Sequence, residues 1–214
     1  MPPEMVIFDC DGVLVDSEPL TDVVIRDSLG RHGLQISLHE ISDLFLGGTI
    51  AGVMKTARDL GADLPDDWVD TIYTEIFDVL EKDVQAVPGA LAVLDALDAA
   101  GIVYAVGSNG PHRKMEITLR RTGMADRLTG RVWSREDVPN PKPAPDVYLA
   151  AARAEGIAPE RCVVIEDSAN GARAGKAAGI WTLGYAAHTG RARLEDVCDA
   201  VFDSMDELPG LLGL

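Results

Sequence analysis

The chain has 214 residues, and at about 150 residues per domain that length fits one large domain with an insertion or two small ones. Hydrophobic residues make up 47% and charged residues 25%, a globular composition that excludes wholesale disorder. The 35 acids against 19 bases give a net charge of −16, which excludes the basic footprint of a nucleic-acid binder and disfavours adhesion to anionic lipid.

The N-terminal Met1-Pro2-Pro3-Glu4 has neither a basic start nor an apolar stretch, so no secretory signal is expected. No apolar run approaches the roughly 20 residues of a membrane span. Cys10, Cys162 and Cys198 are odd in number and lack metal-type spacing, so a reducing, cytoplasmic setting is expected. The first element is Met5-Val6-Ile7-Phe8, a short apolar run stopped by Asp9-Cys10-Asp11-Gly12, which predicts a buried strand. From about Glu18 to Asp83 the pattern is helical, through Val23 to Ile25, Ile41 to Leu46, Ile50 to Leu60 and Trp68 to Leu80. Residues 63–83 carry eight acids and the single base Lys82, the mark of a solvated helical face. The chain then alternates. A helix over Ala90 to Ala100 stops at Gly101, and strands follow at Val103 to Val106, Arg131 to Trp133, Cys162 to Ile165, Trp181 to Leu183 and Ala200 to Phe202. A further helix over Ala144 to Glu155 stops at Gly156. Alternating apolar strands and helices predict an α/β fold, a Rossmann-like parallel sheet covered on both faces. The helical stretch predicts an inserted subdomain, giving a core of residues 1–16 and 85–214 and a helical insertion of residues 17–84.

Ligands of an open parallel sheet sit beyond the carboxyl ends of its strands. Those positions hold Asp9 and Asp11, then Ser108 and Asn109, then Glu166 and Asp167, with Lys142 in the loop Asn140-Pro141-Lys142-Pro143. Four crowded carboxylates need a cation, and an all-oxygen set favours a hard ion such as Mg²⁺. Mg²⁺ works beside phosphate, Lys142 supplies a point charge for it, and a carboxylate there can act as a covalent nucleophile. This chemistry predicts Mg²⁺-assisted phosphoryl transfer. Each piece also has a plainer origin. Asp9 to Gly12 make an ordinary acidic turn, Lys142 between prolines makes an exposed loop, and Glu166-Asp167-Ser168 makes a helix cap. Their joint occurrence in order favours catalysis.

The segment Asp9-Cys10-Asp11-Gly12-Val13-Leu14-Val15-Asp16-Ser17-Glu18 resembles the first motif of the haloacid dehalogenase-like hydrolase superfamily. Ser108, Lys142 within Pro141 to Asp146, and Glu166-Asp167-Ser168 followed by Gly171 resemble its other three motifs, in the family's order. The insertion resembles the small helical cap of the β-phosphoglucomutase and phosphoglycolate phosphatase branch. The resemblance implies that Asp9 is the nucleophile, forming an aspartyl-phosphate. It implies that Asp11 is the general acid and then the base, a duty that calls for a protonated Asp11 when substrate arrives. Mg²⁺ would be held by Asp9, the Asp11 carbonyl and Asp167, with Glu166 as an additional or outer ligand. Ser108 and Lys142 would bind the phosphoryl, assisted by Asn109. Gly47-Gly48-Thr49, by default an inter-helical turn, would in capped relatives correspond to a loop that touches the leaving group, making them candidate substrate contacts. The resemblance thus implies a Mg²⁺-dependent phosphatase acting on a small phosphorylated metabolite.

A mutase of this branch would carry Lys and Arg around that loop and a His after the first motif, where this chain has Leu46, Ile50 and Thr21. These departures favour a hydrolase, and Asp11 disfavours a dehalogenase. A sugar-phosphate mutase remains the alternative, and a non-enzymatic phosphometabolite sensor stands behind it. The Ser108-Asn109-Gly110-Pro111 segment with Lys114-Met115 resembles bacterial capped phosphatases active on 6-phosphogluconate. His112, Arg113 and Lys114 read first as solvated residues and second as partners of an anionic substrate tail. Cys10 reads as a core residue, and His32, His39, His112 and His188 as surface or loop residues. A monomer is the default expectation.

Overall fold

In the computed structural model, which describes residues 2–45, 49–187 and 189–214, the first apolar run forms β1 (Met5–Phe8) with all four residues fully buried. The chain divides into two units, Met1–Asp16 with Gln85–Leu214, and Ser17–Val84. The second unit is helical among its described residues: α1 (Glu18–Arg31), α2 (Leu38–Phe45), α3 (Ile50–Asp59) and α4 (Trp68–Asp83). The α4 residues Trp68, Ile72, Ile76 and Leu80, four apart, form a buried stripe. Helix α1 packs on α4 and α2, and α3 packs on α4. The Trp68 indole N–H donates to Ser28 Oγ at 2.9 Å, so the buried ring leaves no polar atom unmet. Helix α2 starts earlier than the apolar pattern predicts, because Ser37 and Glu40 satisfy each other's backbone N–H groups just before it.

In the first unit α5 (Ala90–Ala100), β2 (Val103–Ser108), α6 (His112–Arg121), β3 (Val132–Ser134) and α7 (Asp146–Ala154) follow in order. They are followed by β4 (Cys162–Glu166), α8 (Ala169–Ala177), β5 (Trp181–Tyr185), α9 (Arg191–Glu195), β6 (Ala200–Phe202) and α10 (Leu208–Leu212). Gly101 ends α5 with φ +68°, a left-handed value that favours glycine. Among the described residues the sheet has six strands, ordered β3-β2-β1-β4-β5-β6, and every neighbouring pair is parallel. The fold is α/β and Rossmann-like. Strand β1 is paired on both sides, with Met5 opposite Val103 and Cys162, and Phe8 opposite Val106 and Ile165. A strand enclosed in this way must be apolar on both faces, which is why its sequence runs rather than alternates. One face of the sheet presents Met5, Ile7, Ala105, Cys162 and Val164 to Val147, Tyr148, Ala151 and Ala152 of α7 and Ala174 of α8. The strand order reverses direction between β2 and β4, with β1 at the switch point, so the crevice at its carboxyl end is where a ligand belongs. Among the described residues no helix is long and apolar enough to cross a membrane.

Candidate active site

The ladder outlasts β1 by one residue. The Asp9 N–H donates to the Ile165 carbonyl at 2.9 Å, which sets the Asp9 side chain at the sheet rim, largely buried. The chain then folds back tightly, the Gly12 N–H donating to Val15 O at 2.9 Å and the Val15 N–H to Cys10 O at 3.0 Å. Gly12 has φ +73°, and a Cβ there would collide with the Asp167 carboxylate. Backbone conformation and close approach both require glycine at this turn.

Lys142 reaches the same rim from the loop before α7, where its peptide bond to Pro143 is cis. Asn109 fixes that loop: its Oδ1 accepts from the Lys142 N–H at 2.9 Å, and its Nδ2 donates to the Lys142 carbonyl at 3.2 Å. Asn109, expected on the phosphate, therefore has its side-chain amide occupied in holding Lys142. The Lys142 ammonium donates to Asp9 Oδ1 at 2.8 Å and to Glu166 Oε1 at 2.7 Å, and lies 4.6 Å from the centroid of the Tyr148 ring. Its side chain is only 4% exposed. Burial works against this ammonium's charge, but the Asp9 and Glu166 charges outweigh burial and hold it above the ordinary lysine range. Burial pushes the Asp9 carboxyl up to about 7, Lys142 opposes the shift, and Glu166 and Asp11 add to it.

Glu166 is fully buried and takes five donors. Oε1 accepts from Lys142 Nζ and from the Tyr148 hydroxyl at 2.8 Å, and Oε2 accepts from the backbone N–H groups of Asp167 and Ser168 and from the Ser168 hydroxyl. Burial works against the Glu166 charge, but Lys142 and these donors prevail and keep its carboxyl below the usual range. Gly171, in the first turn of α8, presses against this carboxylate so closely that a Cβ would overlap it.

Asp9, Glu166 and Asp167, all buried, each offer a carboxylate oxygen, and these oxygens lie within 4.8 Å of one another. Three carboxylates against the one Lys142 ammonium leave two negative charges, the balance that a divalent cation corrects. The donors are all oxygen, which suits Mg²⁺. Glu166 already spends its acceptor capacity on five donors, so Asp9 and Asp167 are better placed to hold such an ion directly.

Asp11 lies on the same turn with its side chain 19% exposed, and the Lys114 ammonium is 2.8 Å from its Oδ1. The solvated reading of Lys114 fails, because the first turn of α6 starts at the end of β2, next to β1, and delivers the side chain to Asp11. Ser108 ends β2, and its Oγ accepts from the Gly110 N–H at 3.0 Å. Gly47 and Gly48, together with Leu46 and His188, lie outside the described residues. Thr49 caps α3, its Oγ1 accepting from the Gly52 N–H at 3.1 Å. Cys10 is fully buried, and burial with the Asp11 and Asp9 charges holds its thiol well above the ordinary range. Tyr148 is the residue that sequence reasoning passed over. Its signal was a lone aromatic in the alanine-rich α7.

A model of the haloacid dehalogenase-like hydrolases matches residues 3–179. The chain is 27% identical over 210 residues to the 6-phosphogluconate phosphatase of Escherichia coli K12, covering 97% of this chain and 94% of that protein. It is 31% identical over 205 residues to hexitol phosphatase A of the same strain, covering 94% and 91%. A solved HAD family hydrolase from Deinococcus radiodurans, with bound phosphate and sodium, superposes with a TM-score of 0.83 at 36% identity over 99% of this chain and 96% of that one.

Proposed function

The chain belongs to the haloacid dehalogenase-like hydrolases, and from that premise we propose that it is a Mg²⁺-dependent phosphomonoesterase acting through an aspartyl-phosphate on Asp9. Its substrate is a small phosphorylated metabolite, a sugar phosphate or phosphosugar acid. The observation that carries this assignment is the buried Lys142 ammonium bridging Asp9 and Glu166 at 2.8 and 2.7 Å, within reach of Asp167's cluster. The names of both E. coli relatives support it.

Asp9, Asp167 and the Asp11 carbonyl would hold Mg²⁺, whose charge lets an anionic phosphoryl approach the Asp9 carboxylate. Lys142 and Ser108 hold the phosphoryl oxygens, and Asn109 keeps Lys142 in register. An Asp9 carboxylate oxygen forms a bond to phosphorus as the ester P–O bond breaks, and Asp11 gives its proton to the leaving oxygen. Asp11 then takes a proton from water, whose oxygen attacks the phosphorus and releases phosphate from Asp9. Residues 17–84 take the part of the specificity cap. Nucleic acid and membranes are not substrates, in keeping with 35 acids against 19 bases.

The test is a panel of phosphomonoesters with Mg²⁺, with products followed by ³¹P NMR. Release of inorganic phosphate is expected. Conversion of a sugar phosphate to its isomer would instead identify a mutase, and binding without turnover a sensor; either result would overturn the proposal.

A further inference from the structure

The first turn of α6 carries His112, Arg113 and Lys114 at the helix end where the macrodipole disfavours cations, so helix stability gives no reason for them. His112 has a local role, with Nε2 2.8 Å from Asp137 and its backbone N–H donating to Glu136 at 2.9 Å. Lys114 points elsewhere. Its ammonium sits 2.8 Å from Asp11 Oδ1, with the side chain 13% exposed. A Cβ on Gly110 would lie 3.4 Å from both Asp11 Oδ2 and Ser108 Oγ and 3.8 Å from Lys114 Cδ. Asp11, Ser108 and Lys114 thus converge beside Gly110.

The two lysines of the rim have separate duties. Lys142 is enclosed between Asp9 and Glu166, on the side of the nucleophile. Lys114 sits on the other carboxylate, the one that serves the leaving oxygen, and is the more accessible of the two. An ammonium has three N–H donors, so Lys114 can keep Asp11 and still donate to a second anionic oxygen. A carboxylate brings one charge, which the ammonium meets with a charge-assisted hydrogen bond while still holding Asp11. A second phosphate brings nearly two, and a neutral hydroxyl gains only an ordinary hydrogen bond.

We propose that Lys114 is a specificity-determining residue that recognises a carboxylate on the leaving group, so that the preferred substrates are phosphate monoesters of sugar acids over those of neutral polyols. This rests on the phosphatase assignment above. Within an acidic chain, it also gives an anionic leaving group a local counter-charge.

The experiment compares kcat/KM for 6-phosphogluconate and sorbitol 6-phosphate, which differ only in a terminal carboxylate against a CH₂OH group. The wild-type protein, Lys114→Met and Lys114→Arg are measured, with p-nitrophenyl phosphate as a third substrate. The wild type is expected to prefer the acid by about tenfold or more. Lys114→Met should collapse that ratio toward one, mainly by raising KM for the acid, and Lys114→Arg should preserve much of it. A wild-type ratio near one, or a Lys114→Met variant that loses both activities equally and keeps the ratio, would overturn the inference while leaving the phosphatase assignment standing. Turnover of none of the three substrates by the wild type would overturn that assignment and the inference with it. The wild-type ratio and the arginine variant decide the matter even if the methionine variant does not fold.

Discussion

The Tyr148 hydroxyl donates at 2.8 Å to Oε1 of Glu166, the same oxygen that Lys142 holds at 2.7 Å. A residue on α7 thereby fixes the anion that in turn holds Lys142, the lysine proposed to bind phosphate. Gly107 on β2 makes room for the arrangement, since a Cβ there would come within 3.0 Å of the Tyr148 ring.

Tyr148→Phe removes one donor from a buried, charged acceptor, a loss of about 1.5–3 kcal/mol. At about 2–4 °C per kcal/mol for a protein of this size, the melting temperature should fall by about 3–12 °C. Thermal unfolding followed by circular dichroism checks this, and an unchanged midpoint would mean that the hydroxyl contributes nothing.

Gly171→Ala should destabilise although alanine outranks glycine by about 1 kcal/mol in a helix interior. The new Cβ would overlap the Glu166 carboxylate, which is held by five donors and has nowhere to go. In Gly52→Ala on α3 the Cβ meets, among the described residues, only Thr49 Oγ1 at an ordinary 3.5 Å, so propensity decides and stability should rise by up to about 1 kcal/mol. Urea midpoints of the two variants should move in opposite directions.

The thiols should be sluggish. Burial, with Glu160 adding, pushes Cys162 up to about 11, and burial with Glu166 and Asp199 pushes Cys198 up to about 12. A raised thiol holds its proton until the pH nears its own value, so at pH 8 the thiolate fractions are about 10⁻³ and 10⁻⁴. Alkylation by iodoacetamide at that pH should run far slower in the folded protein than in urea; equal rates would contradict the burial.

Removing divalent metal with EDTA should abolish turnover, and added Mg²⁺ should restore it. Asp167→Asn should raise the Mg²⁺ concentration needed for half-maximal rate by about tenfold or more, because one buried carboxylate of the cluster loses its charge. A titration curve identical to that of the wild type would remove Asp167 from the metal site.

Strands β1 and β4 were legible because enclosed parallel strands must be continuously apolar, and α5 because Gly101 closes it. Boundaries depended on more than hydrophobicity. Strand β2 continues through Gly107 to Ser108, and α7 begins at Asp146 rather than Ala144 because prolines 143 and 145 hold the chain outside the helix. At the rim, Asp9, Glu166 and Asp167 at strand ends meet Lys142 from its loop, although Asp9 and Lys142 lie 133 positions apart. Tyr148 was not legible as a partner of Glu166, and choosing between the solvated and anion-facing readings of Lys114 was not possible, because both depend on the direction in which α7 and α6 point a side chain. Spacing likewise does not show that the Asn109 amide matches the Lys142 backbone.

The nucleophilic role proposed for Asp9 is tested by the turnover of p-nitrophenyl phosphate with Mg²⁺ by Asp9→Asn, with folding monitored by circular dichroism. A native spectrum with activity reduced at least about a thousandfold is predicted, since the amide cannot form the acyl-phosphate. Turnover near the wild-type rate by the folded variant would contradict it.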